Sequence, residues 1–465
     1  MNRLHFPACS WAFAALVAAG AAAQDVKETP AYRRIKAAID AAPAVDSHDH
    51  LRPMELFPRD PTPNGPQVTL HSIWAASYFS WTSRVGDWPE GRRFDDWWTE
   101  AKPVFANARP PSVYRYLLPA WKDLSGVDFD AITDEQARAL DEQIRRNYAD
   151  PKWPAEVVRR ANIELMLIDP YWARLDLDHC FPREPFAVPV LNVTTLLSAH
   201  HPGNLDDPSN PFWFARKHGL KIDGFDDYLA VVGAIFDKAV AVRAVCLKST
   251  QAYLRDLRYA NVPKDRALRA WGKSPREVAP EDRRDFEDFM MWHLVNLSAR
   301  YGLPFQIHTG QARIQGSNPI LLADLIEANP RTTFILFHGG YPWVGETAVM
   351  AQRFKNVYID SNWLAQLSYT TARRAYQEWL DAVPSNRILW GADNTYPEAL
   401  YGATATTRQC IAEALAEKVV RGELREEDAC RVARQIIREN ALELFPSLRD
   451  RLWMKAEEPD AAERG

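Results

Sequence analysis

Short apolar runs alternate along the chain with longer amphipathic stretches. The runs are AVDSHDH (44–50), IELMLIDP (163–170), AVPVLNVTTLL (187–197), VRAVCLKS (242–249), PFQIHTG (304–310), TFILFHGG (333–340), NVYIDSN (356–362) and RILWGADN (387–394). Most are nearly continuous in apolar residues, the pattern of parallel strands covered on both faces. Stretches with helical spacing, such as DFEDFMMWHLVNLSARYG and NPILLADLIEANP, lie between them. Eight strands alternating with helices predict an α/β fold of the (β/α)8 TIM-barrel type. The competing architecture is an open doubly wound sheet, but no glycine-rich dinucleotide loop follows any of the strands.

Two connections are unusually long. Residues 51–160 follow the first strand and hold TLHSIWAASYFSWTSRVGDW and FDDWWTEAKPVF, which combine helical spacing with dense aromatics. A loop of that length carries its own structure, and it is read as a helical lid over the barrel mouth. Residues 251–285 are basic and polar and are expected on the surface. A helical segment from Ala403 to about Leu452 closes the barrel, and the charged end KAEEPDAAERG is expected to fray. The expected organisation is one barrel domain over residues 24–465, with 51–160 inserted as the lid.

The N-terminus changes the cellular picture. Arg3 precedes thirteen apolar or small residues, Trp11 to Ala23, which end in an Ala-x-Ala pattern before Gln24. This reads as a secretory signal peptide over residues 1–23, cut near Ala23, and so predicts a periplasmic or secreted protein. The run is too short to span a membrane, which takes about 20 apolar residues. The formal charge is −5, and losing Arg3 makes it −6, which gives no support to nucleic-acid or membrane-surface binding. A small-molecule substrate is the expected partner, and a homo-oligomer stays open. Cys180, Cys246, Cys410 and Cys430 lie beyond the leader, without a paired-cysteine metal motif. If one bridge forms, Cys410 with Cys430 is the expected pair, whereas Cys246 lies in an apolar strand and is expected to be buried.

The polar residues concentrate at strand ends. His48 and His50 end the first strand, Lys248 the fourth, His308 the fifth, His338 the sixth and Asp393 the eighth. In a parallel barrel the carboxyl ends of the strands form the catalytic rim, and four of the 11 histidines fall there. Residues two apart on a strand share a face, so Asp46, His48 and His50 would point the same way. Imidazole nitrogens and a carboxylate are zinc-type ligands. His48, His50, Asp393, His308, His338 and Lys248 are therefore candidate ligands for one or two divalent ions, zinc foremost, with manganese or another divalent ion as alternatives. Asp393, His308 and His338 are also the candidate catalytic residues, with Asp393 as the proton shuttle for water activated by the ion. Asp46 is expected to orient a ligand. Lys248 could equally pair with a substrate.

These residues, in this order and on these strands, resemble the amidohydrolase superfamily of metal-dependent (β/α)8 barrels. LKSTQAY, FQIHTG, ILFHGGYPW and ILWGADNTYPE are similar to the branch that includes the domain fused to glutamine-synthetase-like proteins. A second likeness is to uronate isomerases, through HDHL at 48–51, the aromatic ASYFSWTSR and IHTGQAR. The resemblance implies that His48, His50 and Asp393 bind the first metal and that His308 and His338 hold a second ion or contact substrate. It also implies that Lys248 sits where a carboxylated lysine bridges two metals in some members.

The expected function is an exported, metal-dependent hydrolase (an amidohydrolase) cleaving an amide or ester/lactone bond in a small carboxylate-bearing substrate. The alternative is uronate-isomerase-like or decarboxylase chemistry on a sugar acid or aromatic acid. A binding protein without turnover is the reading from another class, and an intact proton shuttle argues against it. Arg84, Arg313 and Lys248 are candidates for pairing with the carboxylate. Among the lid aromatics Trp74, Tyr78, Trp81 and Trp98, Trp81 is the leading candidate for substrate contact. Tyr341, Trp343, Asn362 and Tyr396 follow strands six to eight and are expected as pocket walls.

Overall fold

The computed structural model describes residues 25–91 and 93–453. The expected leader at 1–23 and the charged end at 455–465 lie outside the described residues. The strands are β1 (Ala44–Asp49), β2 (Asp60–Thr62), β3 (Gly65–Gln67), β4 (Ile163–Ile168), β5 (Ala187–Pro189), β6 (Leu191–Asn192), β7 (Leu247–Ser249), β8 (Phe305–Ile307), β9 (Phe334–Leu336), β10 (Val357–Asp360) and β11 (Ile388–Leu389). β2 and β3 pair antiparallel as a hairpin within the 51–160 insertion, an element the aromatic pattern gave no sign of. The others pair in parallel, in the orders β1-β4-β5 and β11-β10-β9-β8-β7-β6.

β5 and β6 are two parts of one stave interrupted at Val190, whose N–H donates to Ile168 O at 3.1 Å. That stave pairs with β4 on one side and β7 on the other. The ring closes between the chain after β11 and β1. Ser47 N donates to Trp390 O (3.0 Å), Asp393 N to His48 O (2.9 Å) and His50 N to Asn394 O (3.0 Å). The fold is thus the predicted (β/α)8 barrel, with the eight strands in the predicted order and with no open edge to satisfy.

Both β1 and β4 are buried along their whole length, as strands covered on both faces should be. Val45, Leu165, Val188, Ile335 and Leu389 form one apolar cluster with Leu442, Phe445 and Leu448 of the C-terminal segment, which packs against the barrel as predicted. Within the 51–160 insertion, Trp74, Trp98, Phe105, Tyr114, Trp121 and Phe129 pack ring on ring. Two buried contacts tie the lid side to the helix Pro397–Val420. Tyr148 Oη donates to Glu398 Oε2 (2.7 Å) and Trp153 Nε1 to Glu398 Oε1 (2.9 Å).

Two expectations need correction. Cys410 and Cys430 are free thiols on separate helices, and Cys180 and Cys246 are free as well. The 251–285 segment is only partly a surface one. Leu257, Tyr259 and Ala267 are buried, and Arg255 is enclosed by Glu287 at 3.2 Å and Asp288 at 2.7 Å. Among the described residues no helix is long and apolar enough to cross a membrane.

Candidate metal centre

β1 carries the first two ligand candidates and does not run regularly. Between Asp46 and Asp49 its register slips against β4, and such a bulge re-aims the side chains beside it. His48 and His50 end up ring against ring, with centroids 4.6 Å apart. Asp46, expected on the same face, instead turns to the seam with β11. Its Oδ1 accepts the backbone N–H groups of His48 and Ala392, each at 3.0 Å. It holds the candidate ligand His48 through the backbone rather than through the ring.

Gly391 is what lets the last strand run so close. A Cβ there would lie 2.8 Å from His48 N and 2.9 Å from Asp46 Oδ1. Two residues later the chain turns through a left-handed conformation at Asp393 (φ 57°). The carboxylate then lands among the histidines. Its Oδ1 is 3.3 Å from His50 Nε2 and 3.7 Å from His48 Nε2, and its Oδ2 is 3.5 Å from His338 Nδ1. Ligand atoms of His48, His50 and Asp393 all lie within 4.8 Å of one another. Asp393 is 3% exposed and His48 1%.

Hydrogen-bond accounting fixes where the lone pairs point. His50 Nδ1 lies 2.9 Å from Asp169 O, an acceptor, so Nδ1 carries the hydrogen and Nε2 faces Asp393. His308 Nε2 must likewise donate to Gln311 O (3.1 Å), which leaves its Nδ1 to accept from His338 Nε2 at 2.8 Å. His338 Nδ1 is then a lone pair facing Asp393 Oδ2, with Asn362 O 3.4 Å away. Acceptors meeting in a buried site are favourable when they share a cation, so the donor set fits a metal ion. In this arrangement both ring nitrogens of His308 are engaged, and His308 braces His338. Lys248 Nζ is 3.2 Å from His48 Nε2 and 3.5 Å from the centre of the Phe337 ring.

The electrostatics agree with that reading. Burial, then the Lys248 charge, push His48 well below its usual value, and burial takes His338 down to about 3 and His308 well down. Burial pulls His50 down too, but the Asp393 carboxylate outweighs it and the value rises. Burial alone would raise Asp393, yet the adjoining His48 and His50 rings hold it well below the usual carboxylate range. Without metal, a proton on His50 Nε2 neutralises the pair, and a divalent cation would displace it. Burial also lowers Lys248 to about 8.

The site opens into a cavity of about 400 Å³ lined by His50, Tyr78, Trp81, Tyr171, Arg174 and Tyr253, among others. Tyr78 Oη lies 2.6 Å from Asp393 O and 2.9 Å from Asp393 Oδ1. Trp363 stands over His338 (5.1 Å between centroids) and against Tyr78 (4.4 Å). Of the predicted lid aromatics, Tyr78 and Trp81 face the cavity, whereas Trp74 and Trp98 are buried in the lid.

Several predicted substrate contacts are not brought to the cavity. Arg84 is exposed, and Arg313 is exposed with Nη1 toward Leu254 O at 3.5 Å. Tyr396 is buried and its hydroxyl donates to Pro58 O at 2.7 Å. Tyr341 and Trp343 are half-buried away from the cavity lining, and the Asn362 amide is buried without a partner. Sequence reasoning missed Asp169, Tyr171, Arg174, Tyr253 and Trp363. The signal available was the run DPYWAR directly after the second strand, where a carboxylate, two aromatics and an arginine stand at the rim.

Residues 221–447 match the family described as Amidohydrolase, a span that holds Lys248, His308, His338 and Asp393. A stretch of 148 residues is 30% identical to Protein fluG of Emericella nidulans, covering 30% of this chain but only 17% of that protein. In three dimensions the chain is similar to a uronate isomerase from Thermotoga maritima (TM-score 0.69, 14% identity, 89% of this chain and 97% of that one). It is also similar to a Lactobacillus casei protein assigned as a metal-dependent hydrolase (TM-score 0.61, 18% identity, 90% and 98%). The resemblance read from the strand ends is borne out by the Amidohydrolase family match over residues 221–447, and the barrel fold by similarity to these structures over about nine-tenths of the chain.

Proposed function

We propose that the protein is an exported, metal-dependent hydrolase that cleaves an amide or ester/lactone bond in a small carboxylate-bearing substrate. The observation that carries this reading is the convergence of His48, His50 and Asp393 within 4.8 Å, beside a cavity of about 400 Å³. The ion would be held by His48 Nε2, His50 Nε2 and Asp393, with His338 Nδ1 facing the same point. Zinc suits these donors best, with manganese as the alternative, and the bound ion would supply Lewis acidity toward a carbonyl and toward water. A single ion is the simpler reading, because His308 has both nitrogens engaged and the Lys248 amine lies against His48.

The remaining work falls to the chain's own groups. Asp393, kept ionised by the imidazoles around it, accepts the proton of the attacking water and returns it to the leaving group. Tyr78 holds that carboxylate in place from the lid side. The His308–His338 hydrogen bond fixes the His338 ring with its Nδ1 lone pair turned toward Asp393. Tyr78, Trp81 and Trp363 restrict solvent over the site, which strengthens each of these interactions. Export rests on the leader pattern at 1–23, and the N-terminal residue of the mature protein checks it.

The second reading, isomerisation of a sugar acid or decarboxylation of an aromatic acid, uses the same residues. It is favoured by the Tyr78 hydroxyl beside Asp393, since this supplies a second proton carrier inside the cavity. A panel of N-acyl amino acids, γ-glutamyl amides, lactones and uronates separates the two by mass. Gain of one water supports hydrolysis, and products of unchanged mass sink it. Asp393→Asn is expected to lower turnover by about 10²–10⁴-fold. Full activity in that variant, or in protein that metal analysis finds empty, refutes the mechanism.

A further inference from the structure

Resting on the reading of this cavity as the substrate site, we infer that Arg174 receives the substrate's carboxylate and that the substrate carries a single ring next to that group. Among the described residues lining the cavity, Arg174 is the only arginine or lysine. It has no ion pair among the described residues, and its Nε is buried without a hydrogen-bond partner. A guanidinium in such a place lacks what its planar fork is built to hold, and a carboxylate supplies two matched acceptors.

Its backbone is held in place. Arg174 N donates to Ser209 Oγ at 3.1 Å, and Leu175 N donates to Pro208 O at 3.0 Å. The side chain therefore starts from a braced loop, as an anchoring residue needs to. The nearby cations are committed elsewhere. Arg52 donates to Tyr171 Oη (2.5 Å) and stacks on the Tyr171 and Trp172 rings, and Lys248 is buried against His48 and Phe337.

Asp169 also lines the cavity but belongs to the metal side. Its carbonyl takes the His50 hydrogen, and its Oδ1 accepts from Asn192 Nδ2 at 2.8 Å. An incoming carboxylate is repelled by Asp169 and drawn to Arg174, which orients the ligand within the cavity. The ring follows from the walls. Trp81 and Tyr253 are 49% and 44% exposed, large faces left open at the cavity, and Tyr253 itself leans against His308, tilted by 50° with centroids 4.4 Å apart. Aromatic and sugar rings both cover such faces, and a cavity of about 400 Å³ suits one ring rather than a peptide.

The test is ligand binding by the purified full chain, read by tryptophan fluorescence. The ligands are benzoate and D-glucuronate, each against its neutral counterpart, benzamide and methyl glucoside. At least one acid should bind about tenfold or more tightly than its counterpart, and Arg174→Met should lose about tenfold or more of that affinity, with Arg174→Lys losing less. With Mn²⁺ added, the ¹⁹F signal of 4-fluorobenzoate should broaden in the wild type and not in Arg174→Met. Metal content should be equal in the two. Acids that bind no better than their neutral counterparts, acids that do not bind, or unchanged binding in Arg174→Met overturn the assignment. A protein that takes up no Mn²⁺ but discriminates the acids through Arg174 leaves the anchor standing and removes the metal reading instead.

Discussion

Replacing Lys248 by Met should stabilise the metal-free protein at neutral pH and lose that advantage as the pH rises. Lys248 is 1% exposed, with its amine on His48 Nε2 and over the Phe337 ring. Burial lowers it from 10.5 to about 8. Between those two values the folded chain binds fewer protons at this site than the unfolded chain, so wild-type stability climbs as the pH rises through the window. At about 1.4 kcal/mol per unit, the buried charge costs up to about 3 kcal/mol at pH 7 and nothing above 10.5. Met keeps the length of the stem and removes the charge. The assay is urea unfolding of both proteins in chelator, in pH steps from 7 to 11, with the difference in midpoint stability read at each step. Titrations common to both proteins cancel in that difference. A gap near zero at pH 7, or one that widens with pH, would refute the claim that the fold keeps a strained ammonium beside His48.

Two other perturbations probe the surroundings. Asp46→Ala removes the acceptor for the N–H groups of His48 and Ala392, and metal affinity by chelator competition should fall about 10–100-fold; unchanged affinity would mean that the seam does not set the ligand geometry. Asp60 accepts from Thr69 Oγ1, Ser72 Oγ and His71 Nδ1, and so ties the β2–β3 hairpin to the helix Leu70–Ala76. Asp60→Ala should cost about 2–3 kcal/mol with metal content intact, measured as a fall in urea midpoint. Burial raises Asp60, but its hydrogen bonds outweigh this and hold it below the usual carboxylate value, so the wild-type advantage should shrink as the pH falls below about 4.

What the sequence disclosed follows from what repeats locally. Eight apolar runs separated by helical spacing suffice for the barrel, and histidines at the ends of runs suffice for the rim. The bulge in β1 was hidden, because it exists only relative to the register of β4. It is why Asp46 parts from His48 and His50 despite the period of two. Tyr396 was expected as a wall because it follows the last strand. The left-handed turn at Asp393 redirects the chain, and the ring closes on Pro58 instead. Arg174, though in the run DPYWAR at a strand end, could not be singled out for a related reason. Its place depends on a brace to Ser209, thirty-five residues away in sequence, and no periodicity in a loop tells which arginine faces inward. Arg84 and Arg313 carry the same charge in similar surroundings and point to solvent or to a neighbouring turn.

The backbone at the rim points to a built site by its own geometry. β9, β10 and β11 are each followed within a few residues by a non-glycine residue in the left-handed region: His338 (φ 61°), Trp363 (φ 62°) and Asp393 (φ 57°). Each such residue costs about 1–2 kcal/mol, and for a bulky side chain like Trp363 the conformation is a true outlier. Hydrogen bonds secure all three turns. Tyr341 N donates to His338 O (3.0 Å), Gln366 N and Leu367 N to Trp363 O (3.0 Å each), and Asp393 N to His48 O (2.9 Å). A barrel that needed only to be stable could end these strands in extended or right-handed backbone. Turning left at three neighbouring strand ends aims an imidazole, an indole and a carboxylate across the mouth toward His48 and His50. Asn162 (φ 53°) and Arg243 (φ 62°) share the conformation ahead of β4 and β7, but three of the five such residues among those described cluster where they would bind the ion or cover it, as expected where a fold trades stability for a pre-organised site.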